Sequence, residues 1–235
     1  MNDTPLLSVE GLSVFYGHFR ALSGVDLSVG AGEIVSIIGA NGAGKSSLMK
    51  AIVGQAARIE GHIRLAGTDL SGRSTAEIAK AGVALVPEGR RLFPSLTVEE
   101  NLRIGQEVGR EGDFGFEDVY RMFPVLKERR RQMARQLSGG QQQMVAVGRA
   151  LLANPKLLLC DEISLGLAPV IIGGLYEVLP KIRERGIGIL VVEQDISRSL
   201  AVADRFYCLL EGRVNLSGRP TETSRDIVAA HYFGE

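Results

Sequence analysis

Apolar positions along this chain follow two rhythms. Short β-branched or leucine-rich runs alternate with segments whose apolar residues recur every three or four positions, which predicts strands alternating with helices. Residues 6–14 alternate loosely and residues 24–29 follow, ending at the turn Gly30-Ala31-Gly32; both read as strands. Residues 33–38 form an uninterrupted β-branched run up to Gly39, the pattern of a strand buried on both faces of a parallel sheet. Residues 45–55 carry Leu48, Ala51 and Ile52 at helical spacing. Residues 63–66 and 83–86 read as strands. From 90 to 155 charge becomes frequent, and helical segments at 98–106, 119–122 and 141–153 replace strands. Strand character returns at 157–160, 188–192 and 206–210, with helices over 169–184 and 197–203.

Strand–helix alternation implies right-handed βαβ units and a mostly parallel sheet. The first strands, joined by short turns, are expected to form a small antiparallel layer. The expected fold class is α/β: a single domain over 1–235, with a core of residues 1–89 and 156–235 and an inserted α-helical lobe at 90–155.

Composition narrows the function. Lys+Arg and Asp+Glu are both 27, so the net charge is zero, and the basic excess of a general nucleic-acid binder is missing. Cys160 and Cys208 stand far apart in apolar runs with no CxxC spacing, which fits two reduced, buried thiols rather than a zinc or redox pair. Met1-Asn2-Asp3-Thr4-Pro5 lacks the basic start and apolar stretch of a secretory signal. Apolar runs reach about six residues, against the ~20 needed to span a bilayer. Any membrane role is expected to come from docking onto another protein.

Gly39-Ala40-Asn41-Gly42-Ala43-Gly44-Lys45-Ser46 satisfies G-x-x-x-x-G-K-[ST], directly after a β-branched strand and before a helix. Glycines let the backbone wrap phosphates, and successive N–H groups form an anion nest at the positive end of the helix. Lys45 is placed to reach the β- and γ-phosphates, and the Ser46 hydroxyl to ligate Mg²⁺. Asp161-Glu162 ends the apolar strand at 157–160, and ligand sites of parallel sheets lie beyond such carboxyl ends. Asp161 is the candidate Mg²⁺ partner and Glu162, one residue on and turned the other way, the candidate general base.

A phosphate loop alone does not separate kinases, GTPases and motors. Leu137-Ser138-Gly139-Gly140-Gln141-Gln142-Gln143 adds a second helix N-terminus, with Ser138 as N-cap and two glycines expected to leave N–H groups exposed. Two anion sites and one nucleotide suggest that the second serves a partner's ATP.

The order 39–46, then 137–141, then Asp161-Glu162 resembles the ABC transporter nucleotide-binding family over essentially the whole chain. The resemblance implies a RecA-like P-loop core and head-to-tail pairing with a second ATP-binding subunit, the signature of one closing over the ATP of the other. It implies nucleotide contacts at Tyr16, which stacks on adenine, at Gly39, Asn41, Gly42, Ala43, Gly44, Lys45, Ser46, Ser47 and Glu88, and, across the dimer, at Ser138, Gly139, Gly140 and Gln141. Mg²⁺ would sit at Ser46, Asp161 and Glu88, with Lys45, Glu162 and Gln194 catalytic. Ser164-Leu165-Gly166-Leu167 matches the segment that crosses the dimer interface.

Val86-Pro87-Glu88-Gly89-Arg90-Arg91-Leu92-Phe93-Pro94, Leu96-Thr97-Val98-Glu99-Glu100-Asn101-Leu102, Val192-Glu193-Gln194 and the tail His231-Tyr232-Phe233-Gly234-Glu235 resemble one branch, the ATP-binding subunits of branched-chain amino acid uptake systems. That branch implies permease subunits, a solute-binding receptor reached through them, and a peripheral place on the cytoplasmic face of the inner membrane. Glu88 and Gln194 stand where most of the family has glutamine and histidine, and Ile163 where it usually has proline. His18, His62 and His231 fall outside the motifs and read as surface or structural. The basic run Lys127-Glu128-Arg129-Arg130-Arg131 reads as a solvated helix face, or as a contact for acidic lipid or a partner loop. The alternative is a non-transport ABC ATPase of DNA repair or translation. The modest span between Lys45 and Ser138, without sustained heptads, and the single cassette count against it; no nucleic-acid partner is expected.

Overall fold

The computed structural model describes residues 4–107 and 110–234. The reading of Met1 to Asp3 and the last tail residue, Glu235, lie outside them. In chain order the elements are β1 (Leu7–Tyr16), β2 (Phe19–Val29), β3 (Ile34–Ile38), α1 (Lys45–Ile52), β4 (Arg58–Leu65), β5 (Thr68–Asp69), α2 (Thr75–Ala81) and β6 (Val83–Val86). The lobe follows with α3 (Val98–Gln106), α4 (Phe116–Met122), α5 (Pro124–Glu128) and α6 (Gly139–Leu152). The chain closes with β7 (Leu157–Asp161), α7 (Pro169–Tyr176), α8 (Val178–Arg183), β8 (Gly188–Glu193), α9 (Ile196–Val202), β9 (Arg205–Leu210), β10 (Arg213–Gly218) and α10 (Arg225–Phe233).

Two sheets carry the core. The N-terminal layer is antiparallel in the order β2-β1-β4-β5. The larger sheet has the order β10-β9-β3-β8-β7-β6, parallel throughout except for the β9–β10 pair. β8 therefore lies between the strand that leads into the phosphate loop and the strand that delivers Asp161.

The unbroken apolar runs have a simple cause. Successive side chains in a strand face opposite sides of the sheet. Leu158, Cys160, Ile189 and Val191 enter the core shared with α6, α7, α8 and the lobe, whereas Leu157, Leu159, Leu190 and Val192 enter the core shared with α1 and the antiparallel layer. Both faces are dry, so neither can be polar.

In the lobe, Thr97 caps α3 through a reciprocal pair: its hydroxyl accepts from the Glu100 N–H at 3.2 Å and its N–H donates to the Glu100 carboxylate at 2.7 Å. Asn101 is buried and donates to the carbonyls of Phe93 (3.1 Å) and Thr97 (2.9 Å), fixing the turn before α3. α3 packs so closely on α6 that a Cβ on Gly105 would sit 2.0 Å from the Arg149 carbonyl oxygen. At the far end of the core, Glu33 accepts from Arg205 Nη2 at 2.9 Å and from the Gly30 N–H at 2.6 Å. Burial pushes its carboxyl up, but the bonds from Arg205 and Gly30 outweigh that and hold it below the ordinary value of 4.5.

Several expectations are corrected. The helix expected over 169–184 is two: α7 and α8 meet at Glu177, where Pro180 supplies no N–H to the Tyr176 carbonyl. β1 runs past its expected end because Phe15 and Tyr16 continue the pairing with β2 up to the hairpin, and a bulge between Val9 and Leu12, with Gly11 at a φ of 59°, interrupts its alternation. α1 stops at Ile52, short of the expected 55. The sequence reading missed α2, α5, β5, β10 and α10. β10 is an edge strand whose outward residues Arg213, Asn215 and Ser217 dilute its apolar signal. Cys160 and Cys208 are buried free thiols, as expected. Among the described residues no helix is long and apolar enough to cross a membrane.

Candidate functional site

The phosphate loop springs from the carboxyl end of β3. Gly39 lies against β9, where a Cβ would fall 2.6 Å from the Leu209 carbonyl oxygen; Gly42 and Gly44 take positive φ values of 85° and 107°. α1 then starts at Lys45 with no side-chain cap on Gly44, so its first N–H groups remain for a ligand. Lys45 is only 4% exposed. Its ammonium donates to the carbonyls of Gly39 at 2.6 Å and Ala40 at 3.1 Å, and lies 3.6 Å from Glu162 Oε1. Asn41, Gly42 and Ser46 are exposed, Ser47 half-buried, and Ala43 is buried beneath the loop.

Asp161 ends β7, and Glu162 follows with a φ of 47°. That left-handed turn lifts the Glu162 carboxylate out of the strand's alternation and toward Lys45. Gln194, the residue after β8, donates from Nε2 to Glu162 Oε2 at 2.7 Å. In this structure Gln194 is therefore engaged with the candidate base, Glu162. Asp161 has its pKa pushed up to about 6: burial is the main cause, repulsion from Glu162 and Glu88 adds to it, and Lys45 and Lys50 oppose it. Those four charges mark what converges on this carboxyl. Ile163 is 1% exposed and packs into the larger core, which explains an apolar residue there.

The second anion motif is built as its sequence suggests, with one exception. Ser138 caps α6, accepting from the Gln141 N–H at 3.4 Å, while its own N–H donates to Gln141 Oε1 at 3.0 Å. Ser138 is exposed and Gly139 half-buried, but Gly140 is buried, with Ile171 2.5 Å from where a Cβ would be. Gly140 thus serves packing rather than an exposed N–H. Among the described residues no hydrogen bond or ion pair joins 138–141 to the phosphate loop or to Asp161-Glu162. Tyr16 ends β1, 37% exposed, beside Phe19, its partner across the hairpin and 69% exposed.

The sequence reading missed two things near these motifs. Arg90, at a φ of 64°, lays its guanidinium beside Gly139 and donates to Gln142 Oε1 at 3.2 Å. Tyr176 and Arg198 join a buried network on Glu193. An acid closing the apolar run 188–192 was the one available signal for it. The basic run at 127–131 is split among local partners, Lys127 with Glu117 at 2.8 Å and Arg129 with Gln132 at 3.1 Å. Among the described residues no group of three or more His, Cys, Asp and Glu is placed to hold a metal.

Known proteins share this arrangement. The pattern of the ABC transporter family matches residues 22–164. The high-affinity branched-chain amino acid transport ATP-binding protein BraG of Pseudomonas aeruginosa is 46% identical over 211 residues, 89% of this chain and 91% of that protein. The lipopolysaccharide export system ATP-binding protein LptB of Escherichia coli (strain K12) is 31% identical over 97% of both chains. Among solved structures, the ADP conformation of MJ1267, an ATP-binding cassette of an ABC transporter, superposes with a TM-score of 0.82 at 28% identity, covering 99% of this chain and 100% of that one. The dimeric structure of MJ0796, a bacterial ABC transporter cassette, gives 0.79 at 26% identity, covering 91% and 98%. A phosphate loop on β3, a carboxylate pair on β7, a capped second anion motif and a family pattern spanning more than half the chain lead to one conclusion: the chain belongs to the ABC transporter family and is one of its ATP-hydrolysing cassettes.

Proposed function

We propose that this cassette energises uptake of branched-chain amino acids or similar small polar solutes, as a peripheral subunit on the cytoplasmic face of the inner membrane. It works as a dimer with a second ATP-binding subunit, beneath permease subunits that receive solute from a binding receptor. The identity to BraG over nine-tenths of both chains supports the uptake reading. The full-length likeness to LptB supports a second reading, an export cassette.

The observation that carries the chemistry is the position of Glu162, held between Lys45 at 3.6 Å and Gln194 at 2.7 Å. Phosphates on the loop would draw the Lys45 ammonium from the Gly39 and Ala40 carbonyls to the β- and γ-oxygens. Gln194 keeps Glu162 aimed at a water; as the water oxygen attacks the γ-phosphorus, Glu162 accepts its proton, the bond from that phosphorus to the β–γ bridging oxygen breaks, and ADP leaves. Ser46, Asp161 and Glu88 are oxygen donors of the kind Mg²⁺ takes together with phosphate oxygens. The mutual repulsion that raises Asp161 is relieved by a cation there. A Mg²⁺ held there would supply positive charge to offset the charge that develops on the phosphoryl oxygens. Ser138 and Gly139 close on the nucleotide of the second subunit.

Glu162→Gln tests this reading. It should bind MgATP normally, hydrolyse it roughly 10²–10⁴ times more slowly, and collect as an ATP-bound dimer on gel filtration. Turnover at the parent rate removes Glu162 as the base. Complementation separates the two cargo readings: restored branched-chain amino acid uptake in a strain lacking that cassette supports the importer, and restored lipopolysaccharide export supports the other.

A further inference from the structure

Two polar residues in succession, Glu193 ending β8 and Gln194 just after it, turn to opposite sides of the sheet. Glu193 continues the parity of Ile189 and Val191, toward α7; Gln194 continues that of Leu190 and Val192, toward α1. Each grips the stretch after β7. Gln194 holds Glu162. Glu193, 3% exposed, accepts from the Ser164 hydroxyl at 2.9 Å and from the Tyr176 hydroxyl. Ser164, also buried, accepts in turn from Arg198 Nη1 at 2.9 Å.

The placement of the two donors is informative. Ser164 stands immediately before the stretch 165–168, and Tyr176 closes α7, the helix that this stretch leads into. Between them Leu165 is 52% exposed and Gly166 has a φ of 69°. One carboxylate thus ties down both the start of an exposed loop and the helix that follows it. Burying a carboxylate is costly, and an apolar residue would stabilise such a position at least as well. The hydroxyls do not fully offset the cost here: burial still pushes the Glu193 carboxyl up, despite its bonds from Tyr176 and Ser164 and the nearby Arg198.

We propose that Glu193 is a positioning residue: through Ser164 and Tyr176 it locks the exposed 165–168 loop to the strand end that aims Glu162, so that loop and catalytic carboxylate move as one body. This rests on the reading of Glu162 as the base and of 165–168 as a face toward the second subunit. In that dimer, a displacement of the loop by the neighbouring cassette reaches Glu162 through the Glu193-Gln194 pair.

The test uses Glu193→Gln, Ser164→Ala and Tyr176→Phe in the full chain, with melting curves as the folding control. Glu193→Gln should lower kcat by about 10- to 100-fold with KM for MgATP within about twofold, because none of these groups lines the phosphate loop. Ser164→Ala and Tyr176→Phe should each lower kcat by about threefold or more, and Glu193→Gln should add little to the pair combined, as expected of groups acting as a unit. In a Glu162→Gln background, Glu193→Gln should weaken ATP-dependent dimerisation by about tenfold. Parent-like kcat in folded Glu193→Gln overturns the proposal, as does KM rising in step with the loss. If Glu193→Gln does not fold, parent-like kcat in Ser164→Ala and Tyr176→Phe overturns it instead. If Glu162→Gln keeps parent turnover, the general-base reading fails on its own, while the kcat of Glu193→Gln against the parent is still read.

Discussion

The loops after β3 and β7 flank the end of the same strand, β8, yet they are held in opposite ways. The β3 loop is largely self-sufficient. Lys45 bonds carbonyls of its own loop, the glycines supply the turns, and α1 follows at once. The β7 loop is shaped from elsewhere: Gln194 and Glu193 from β8, Tyr176 from α7, Arg198 from α9, and a core that takes up Ile163. The first can be written as a contiguous motif. The second is a tertiary construction with only its two acids visible in sequence. Binding should therefore answer mainly to the first loop and turnover to the second.

The strongest way to break this contrast is Lys45→Ala. It removes the one cation fixed within the β3 loop and should abolish productive MgATP binding, with hydrolysis falling on the order of 10³-fold or more. Titration calorimetry and steady-state ATPase decide it; near-normal affinity would mean that the loop does not carry binding. Gln194→Ala probes the other side. It should lower kcat roughly 10- to 100-fold while leaving MgATP affinity close to the parent's, because it frees Glu162 without touching the loop. Gln194→His restores a donor that changes charge, so its kcat should acquire a pH dependence between about 6 and 7.5 that the parent lacks.

The same contrast explains what the sequence made legible. The phosphate loop, the Ser138 cap and the parallel order of strands were readable because each depends on neighbours in sequence or on two-residue alternation. The left-handed Glu162, the engagement of Gln194 and the Arg90 contact with the signature were not, because each depends on residues 32 to 52 positions away. The broken helix at 169–184 was missed although Pro180 was in view: the apolar spacing continued across it, and the missing N–H decided the outcome. α10 was overlooked although Ser224 caps it by accepting from the Ile227 N–H.

Two smaller effects sharpen the comparison by leaving both loops alone. Gly105→Ala forces a methyl group against the Arg149 carbonyl and should cost about 1–3 kcal/mol in lobe stability, seen as earlier loss of amide protection in α3 and α6 with MgATP affinity retained. Glu33→Gln should cost roughly 1 kcal/mol at neutral pH, allowing for partial solvent screening. Because the folded carboxyl is held below 4.5, its contribution is complete above that pH and is lost as pH falls through the lower, folded value. Urea melts of parent and variant should therefore converge below about pH 4.5.

The two-residue alternation of β8 also constrains how this protein can change. Lengthening or shortening that strand by one residue would exchange its two faces, sending the carboxylate toward Glu162 and the amide toward Tyr176. Both anchors would be misplaced by one event, and no nearby point substitution would repair them together. The apolar positions of the segment can thus exchange among similar side chains while its length stays fixed, and insertions that alter this cassette are expected in its surface turns instead.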